Sequence, residues 1–198
     1  GLFDQPDAWR VFASGQARGT LSATDGPDGR TGIALDYDFH GGGGFVVIRR
    51  ELPFAMPDTF EISFLLRGHG PKNHFEFKVA SPGGANVWRH LCQDFELPEN
   101  WMPHLFNERG LPFAWGPAGG GAPSEVEAVE IVIAAGPGGN GRIELSATYL
   151  DDQRLLKPAL VTASGFLTGH APELAMDAGS ASGWRADPGD ASPWWQVD

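Results

Sequence analysis

Apolar residues fall at every second position in one short segment after another of this chain. Ile33, Leu35, Tyr37 and Phe39 share one side of such a segment, with Asp36 and Asp38 on the other. Phe60–Arg67 and His74–Val79 repeat the alternation, and Phe45–Arg50, Val87–Leu91, Val129–Ala135 and Ile143–Leu150 are further strand-like runs. Residues two apart on a strand share a face, so the pattern predicts strands with one side on a core and one toward water. Antiparallel sheets read this way, whereas parallel sheets buried on both faces do not. The chain has 28 Gly and 16 Pro. In a helix interior each would cost about 1 and about 3 kcal/mol respectively, but turns between strands absorb them. No segment of useful length has a 3.6-residue period. The predicted fold is all-β, an antiparallel jelly-roll β-sandwich.

With 198 residues, 41% hydrophobic and 20% charged, the chain can bury a real core. Its net charge of −11 and pI near 4.8 disfavour nucleic acid, whose binding depends on Lys and Arg. The same acidity disfavours an anionic membrane surface and suits neutral ligands. A single cysteine, Cys92, excludes a disulfide framework and a cysteine-rich zinc site.

Motifs of catalysis fail on context. Gly136–Gly141 spells GxGxxG, but a dinucleotide site needs a helix to follow, and here a strand follows, so the segment reads as a hairpin loop. His40-Gly41-Gly42-Gly43 resembles an oxyanion loop but has no GxSxG nucleophile elbow beside it; it too reads as a hairpin turn. There is no HExxH, and the six histidines lack helical metal spacing. Paired carboxylates among Asp36, Asp38, Glu61 and Glu76 could serve glycoside hydrolysis only at separations of about 5 to 10 Å; the ordinary reading is the solvated face of a sheet.

The outward-facing set carries the functional expectation. Alternation places Arg67 on one strand, His74, Glu76 and Lys78 on a second, and Trp88 with His90 on a third. Sugars present hydroxyls and apolar C–H faces, so Trp88 is the candidate stacking plate and Arg67, His74, Glu76 and Lys78 the candidate polar contacts. The competing reading is that Trp88 packs into the core and Glu76 and Lys78 neutralise each other. Trp115, in Phe113-Ala114-Trp115-Gly116-Pro117, follows the same logic, against a reading as a packing anchor under a loop.

Several of these pieces, in order, resemble a family pattern: Tyr37-Asp38-Phe39, the glycine run and Phe45–Arg49, Phe64–Gly68, Phe75–Lys78, Asn86-Val87-Trp88, Phe113–Pro117 and Ile133–Gly136. Over residues 1–151 the chain is similar to galactose-binding-like jelly rolls, of the carbohydrate-binding family 11 and complex I intermediate-associated protein 30 type. After a connector at 152–159, residues 160–198 resemble the truncated start of a discoidin (coagulation factor 5/8 type C) domain, in Val161–Ser164, Pro172–Asp177, Gly183-Trp184-Arg185 and Trp194–Asp198. About 40 residues cannot bury their own apolar surface, so Trp184, Trp194 and Trp195 are expected to pack on the sandwich or on a neighbouring chain.

The resemblance implies a non-catalytic module that holds an oligo- or polysaccharide for a larger, secreted or periplasmic polysaccharide-processing protein whose catalytic domain lies elsewhere. The alternatives are a protein-assembly module and a small glycan-active enzyme. No cofactor is required; the family likeness implies a structural Ca²⁺ near the chain ends, where Asp4, Asp7, Asp25, Asp28 and Asp151 include candidate oxygen donors, but no spacing singles out any of them and no metal residues are assigned.

Overall fold

In the computed structural model, residues 1–153, 161–168, 170–172 and 184–197 are described. The chain divides into two compact units, Gly1–Leu155 and Leu156–Asp198. The first is a jelly-roll β-sandwich. Its strands are β1 (Trp9–Ala13), β2 (Arg18–Asp25), β3 (Thr31–Asp38), β4 (Phe45–Ala55), β5 (Phe60–His69), β6 (His74–Ala80), β7 (Val87–Cys92), β8 (Met102–Asn107), β9 (Phe113–Trp115), β10 (Glu125–Ala134) and β11 (Asn140–Asp152). One sheet has six strands in the order β1-β4-β10-β6-β7-β9, the other five in the order β2-β3-β11-β5-β8. Every pairing is antiparallel.

The alternation seen in the sequence builds the layer between the sheets. Ile33, Leu35 and Tyr37 of β3, Phe64 and Leu66 of β5, Phe75, Phe77 and Val79 of β6, and Ile131 and Ile133 of β10 are buried in one cluster. Phe64 lies at its centre, with ring centroids of Phe3, Phe77 and Phe106 at 5.8, 5.9 and 6.4 Å. Burying each such side chain contributes about 1.5–3 kcal/mol, which is what holds the two sheets face to face.

Two glycine-rich segments differ from the sequence expectation. Residues 40–44 join β3 to β4, and residues 135–139 join β10 to β11; in each case the flanking strands belong to different sheets. Both are crossovers between sheets rather than hairpins. The second is held by the buried Asn73: its Oδ1 accepts from the Gly136 and Gly138 amides at 3.0 Å, and its Nδ2 donates to the Gly138 carbonyl at 3.0 Å. Gly138 and Gly139 both take positive φ, 82° and 74°, a conformation that a Cβ would strain.

The second unit contains a two-stranded antiparallel sheet, β12 (Val161–Ala163) with β13 (Trp195–Val197). Within it the Trp184 indole donates to the Gly165 carbonyl and the Trp195 indole to that of Pro172, at 3.3 and 3.1 Å. Asp152, expected in the connector, ends β11; residues 154–160 and the Ala175–Asp177 part of the discoidin-like pattern lie outside the described residues.

Candidate functional site

The outer face of the six-stranded sheet is set by its register. Residues directly opposite in an antiparallel pair share a face, so rows of side chains run across the strands. One row is Phe12, Val47, Val132, Glu76 and Leu91; the next is Arg10, Arg49, Glu130, Lys78 and Arg89; the third is Glu51, Ala128, Ala80, Val87 and Trp115. His74 opens a further row beside Ala134 and Phe45.

Trp115 stands at the edge of this face with 47% of its surface exposed. The Lys78 ammonium lies 5.4 Å and the Arg89 guanidinium 5.9 Å from its ring centroid. Glu76 neutralises both cations, at 2.8 Å from Lys78 Nζ and 3.5 Å from Arg89 Nη1. A second ionic group continues the face on β4 and β10, where Arg49 contacts Glu51 and Glu130, each at 2.8 Å. These carboxylates hold the Arg49 guanidinium above its ordinary range despite the opposing effect of burial, Glu51 contributing most. The turn after Trp115 is pinned from two sides. Gly116 (φ 132°) packs so closely on Ala85 and Asn86 that a Cβ there would sit 2.4 Å from the Ala85 carbonyl oxygen. Asn86 Oδ1 also accepts the Ala118 amide at 2.8 Å.

Of the five residues singled out from the sequence, His74, Glu76 and Lys78 share this face, while Trp88 and Arg67 do not. Trp88 is 5% exposed and belongs to the core. It lies opposite Val79, not opposite Lys78, so Trp88 and His90 point inward with Phe75, Phe77 and Val79, and Arg89 and Leu91 take the outer positions. A one-residue difference in assumed register exchanges the two faces of a strand. The Trp88 indole donates to the Gly121 carbonyl at 2.7 Å and so supports, from beneath, the loop that follows Trp115. Phe12 and Phe45 are exposed on the same face, and Trp115 is the exposed ring flanked by Lys78 and Arg89.

Arg67 is on β5, in the five-stranded sheet. It bonds Glu144 and its guanidinium covers Trp101, 4.7 Å from the ring centroid. Arg142 links the same Glu144 (3.5 Å) to Asp36 (2.6 Å), and Thr24 donates to Glu144 at 2.6 Å. Burial raises the Glu144 pKa, but hydrogen bonds from Arg67 and Thr24 outweigh it and leave the carboxyl below its usual range. Of the carboxylates considered for bond cleavage, Asp36 and Glu76 thus sit on different sheets, each held by cations. His90, turned inward, meets Cys92 and the β8 residue His104. Burial pushes both imidazoles down, His104 to about 4 with the help of His90, and pushes the Cys92 thiol up.

Neither a protein-family model nor a curated protein matches the chain. Solved structures do. The family 11 carbohydrate-binding module of the cellulosomal cellulase Lic26A-Cel5E of Clostridium thermocellum superposes with a TM-score of 0.59 at 14% identity, over 74% of this chain and 90% of that one. A Clostridium thermocellum family 11 module in complex with a β-1,3-1,4-mixed-linked tetrasaccharide gives 0.58 at 15% identity, over 71% and 86%. The enzymatically active domain of tailspike protein 4 of bacteriophage CBA120 gives 0.50 at 9% identity, over 74% and 20%. The shared property is the fold. At these identities the likeness extends no further, and the site must be argued from the side chains this chain carries.

Proposed function

We propose that the sandwich is a non-catalytic carbohydrate-binding module whose ligand lies across the outer face of the six-stranded sheet. The observation that carries the reading is Trp115, a half-exposed ring with Lys78 and Arg89 beside it and Glu76 fixing both. A pyranose stacked on the ring covers about 100 Å² of apolar surface, which contributes about 2.5 kcal/mol. Two or three hydrogen bonds add about 1 kcal/mol each. After the cost of association, affinity falls nearer millimolar than nanomolar. The neighbour bound to a β-1,3-1,4-mixed-linked tetrasaccharide supports an oligosaccharide as the class of ligand, and the acidic chain suits a neutral one.

In this reading the sandwich serves a larger secreted or periplasmic polysaccharide-processing protein, and residues 160–198 are discoidin-like. A glycan array that includes mixed-linkage β-glucans, followed by titration calorimetry, tests the binding role. Retention of a neutral glycan is expected, with a roughly sixtyfold weaker affinity in Trp115→Ala, the loss of about 2.5 kcal/mol. A folded protein that retains no glycan, or a Trp115→Ala variant with unchanged affinity, overturns it.

A further inference from the structure

His90, Cys92 and His104 bring three metal-ligating atoms together between the two sheets, and no step of glycan binding uses them. His90 and Cys92 are two apart on β7 and so share the inward side of the six-stranded sheet. His104 faces them from β8, the edge strand of the five-stranded sheet. His90 Nε2 lies 3.0 Å from His104 Nε2 and 3.3 Å from Cys92 Sγ, and all three ligand atoms are within 4.8 Å of one another.

The tautomer of His90 is fixed by its other nitrogen. Nδ1 is 2.8 Å from the Gly110 carbonyl, which can only accept, so Nδ1 carries the proton and Nε2 presents a lone pair. That lone pair points into a space shared with a second imidazole nitrogen and a thiol. A backbone carbonyl on the distal nitrogen is the usual outer support of a metal-bound histidine. The rings are also held in place: Phe106 stacks on His90 at 4.2 Å and 10°, and Phe64 and Phe75 flank His104 at 5.3 and 5.5 Å. A tetrahedral zinc ion with Zn–N of about 2.0 Å and Zn–S of about 2.3 Å needs N···N and S···N spacings of about 3.3 and 3.5 Å. The two spacings from His90 Nε2 are shorter by a few tenths of an ångström and Cys92 Sγ lies within 4.8 Å of the His104 ligand nitrogen, differences within reach of side-chain rotation.

We infer that His90, Cys92 and His104 form a binding site for a borderline divalent transition-metal ion, of which Zn²⁺ is the type, that ties the two sheets of the sandwich together. One thiolate and two neutral imidazoles suit such an ion and not Ca²⁺ or Mg²⁺, which take oxygen. On binding, the Cys92 thiol gives its proton to water, and a solvent molecule fills the fourth position. A cleft lined by Arg89, His90, Arg109 and Gly110, of about 410 Å³, leads to His90 from outside. The ion's role is stabilisation, because its ligands come from both sheets. Glycan binding on the opposite side of the six-stranded sheet proceeds without it.

The test uses the whole chain, kept reduced and stripped with a chelator, then titrated with Zn²⁺ and separately with Co²⁺. One equivalent of either ion is expected to bind, the Co²⁺ form showing intense thiolate-to-metal absorption. Zn²⁺ is expected to raise Tm by about 5 °C or more, as a ligand that binds only the folded state must. Cys92→Ser is expected to abolish the absorption and weaken Zn²⁺ binding more than tenfold, since even outer-shell partners are worth about 10–100-fold; His104→Asn is expected to weaken it similarly. Should either variant fold poorly, the thiolate absorption of the wild-type Co²⁺ form decides alone. Substoichiometric binding, Co²⁺ uptake without that absorption, or unchanged affinity in folded Cys92→Ser overturns the inference.

Discussion

The two sheets of the sandwich each carry an aromatic ring beside arginine or lysine on their outer faces, yet the two faces are finished differently. On the five-stranded sheet, Asp36, Arg142, Glu144 and Arg67 form a continuous ionic ladder, and the Arg67 guanidinium lies over Trp101 at 4.7 Å. Ring and charges there are already occupied with one another. On the six-stranded sheet the cations flank Trp115 at 5.4 and 5.9 Å, and nearly half of the residue stays open. Composition alone does not make a recognition surface. What distinguishes the two faces is how much of the ring stays open: Trp101 is partly buried beneath Arg67, whereas nearly half of Trp115 is exposed.

Variants that separate structural rings from the open one sharpen this contrast. The largest effect is expected from Trp88→Ala, which empties a core position and removes the support at Gly121: about 3–5 kcal/mol of stability by urea unfolding, against about 0.5 kcal/mol or less for the exposed Trp115→Ala. Equal losses would erase the distinction between plate and pillar. Arg67→Ala is expected to cost about 1–2 kcal/mol, because Glu144 is nearly buried and loses a charged partner, with glycan affinity unchanged. That deficit has a sign in pH. The folded-state pKa of Glu144 is depressed, so the stabilisation is present above the ordinary glutamate range and fades as pH falls through the folded value. The deficit of Arg67→Ala is therefore expected to shrink in acid; a deficit constant from pH 7 to pH 3 breaks the account of the ladder. Within the site, the smallest effect on glycan affinity is expected from Glu76→Gln, a few-fold, because it releases Lys78 and Arg89 from a shared carboxylate; Glu76 is itself buried, so its loss also costs about 1–3 kcal/mol of stability. Calorimetry showing an unaltered affinity removes Glu76 from the site.

The sandwich was legible in the sequence because alternation is a local signal: Phe60–Arg67 and His74–Val79 declare their inner faces without reference to partners. Strands β1, β2, β8 and β9 were not legible. Met102–Asn107 contains Pro103 and alternates weakly, and Phe113–Trp115 is only three residues long. The shelf was legible in part. His74, Glu76 and Lys78 lie where the alternation of β6 puts them, but the phase of β7 relative to β6 is a pairing property. Val87-Trp88-Arg89-His90-Leu91-Cys92 alternates equally well in either phase by size, and only the Val79–Trp88 register decides it. That one uncertainty placed Trp88 outside and hid the His90–Cys92 pair, whose spacing of two suits a strand and escapes a search for helical ligand spacing. Arg67 was misplaced for a different reason: consecutive strands β5 and β6 enter different sheets, and no local feature of residues 68–73 announces the crossing.

The decisive measurement is a two-dimensional amide and indole NMR titration of the chain with a mixed-linkage β-1,3-1,4 tetrasaccharide. The account expects the Trp115 indole resonance to shift together with the backbone amides of Glu76, Lys78 and Arg89, while those of Arg67, Trp101 and Glu144 stay fixed. Shifts gathered on Arg67, Trp101 and Glu144, with Trp115 unmoved, would contradict it.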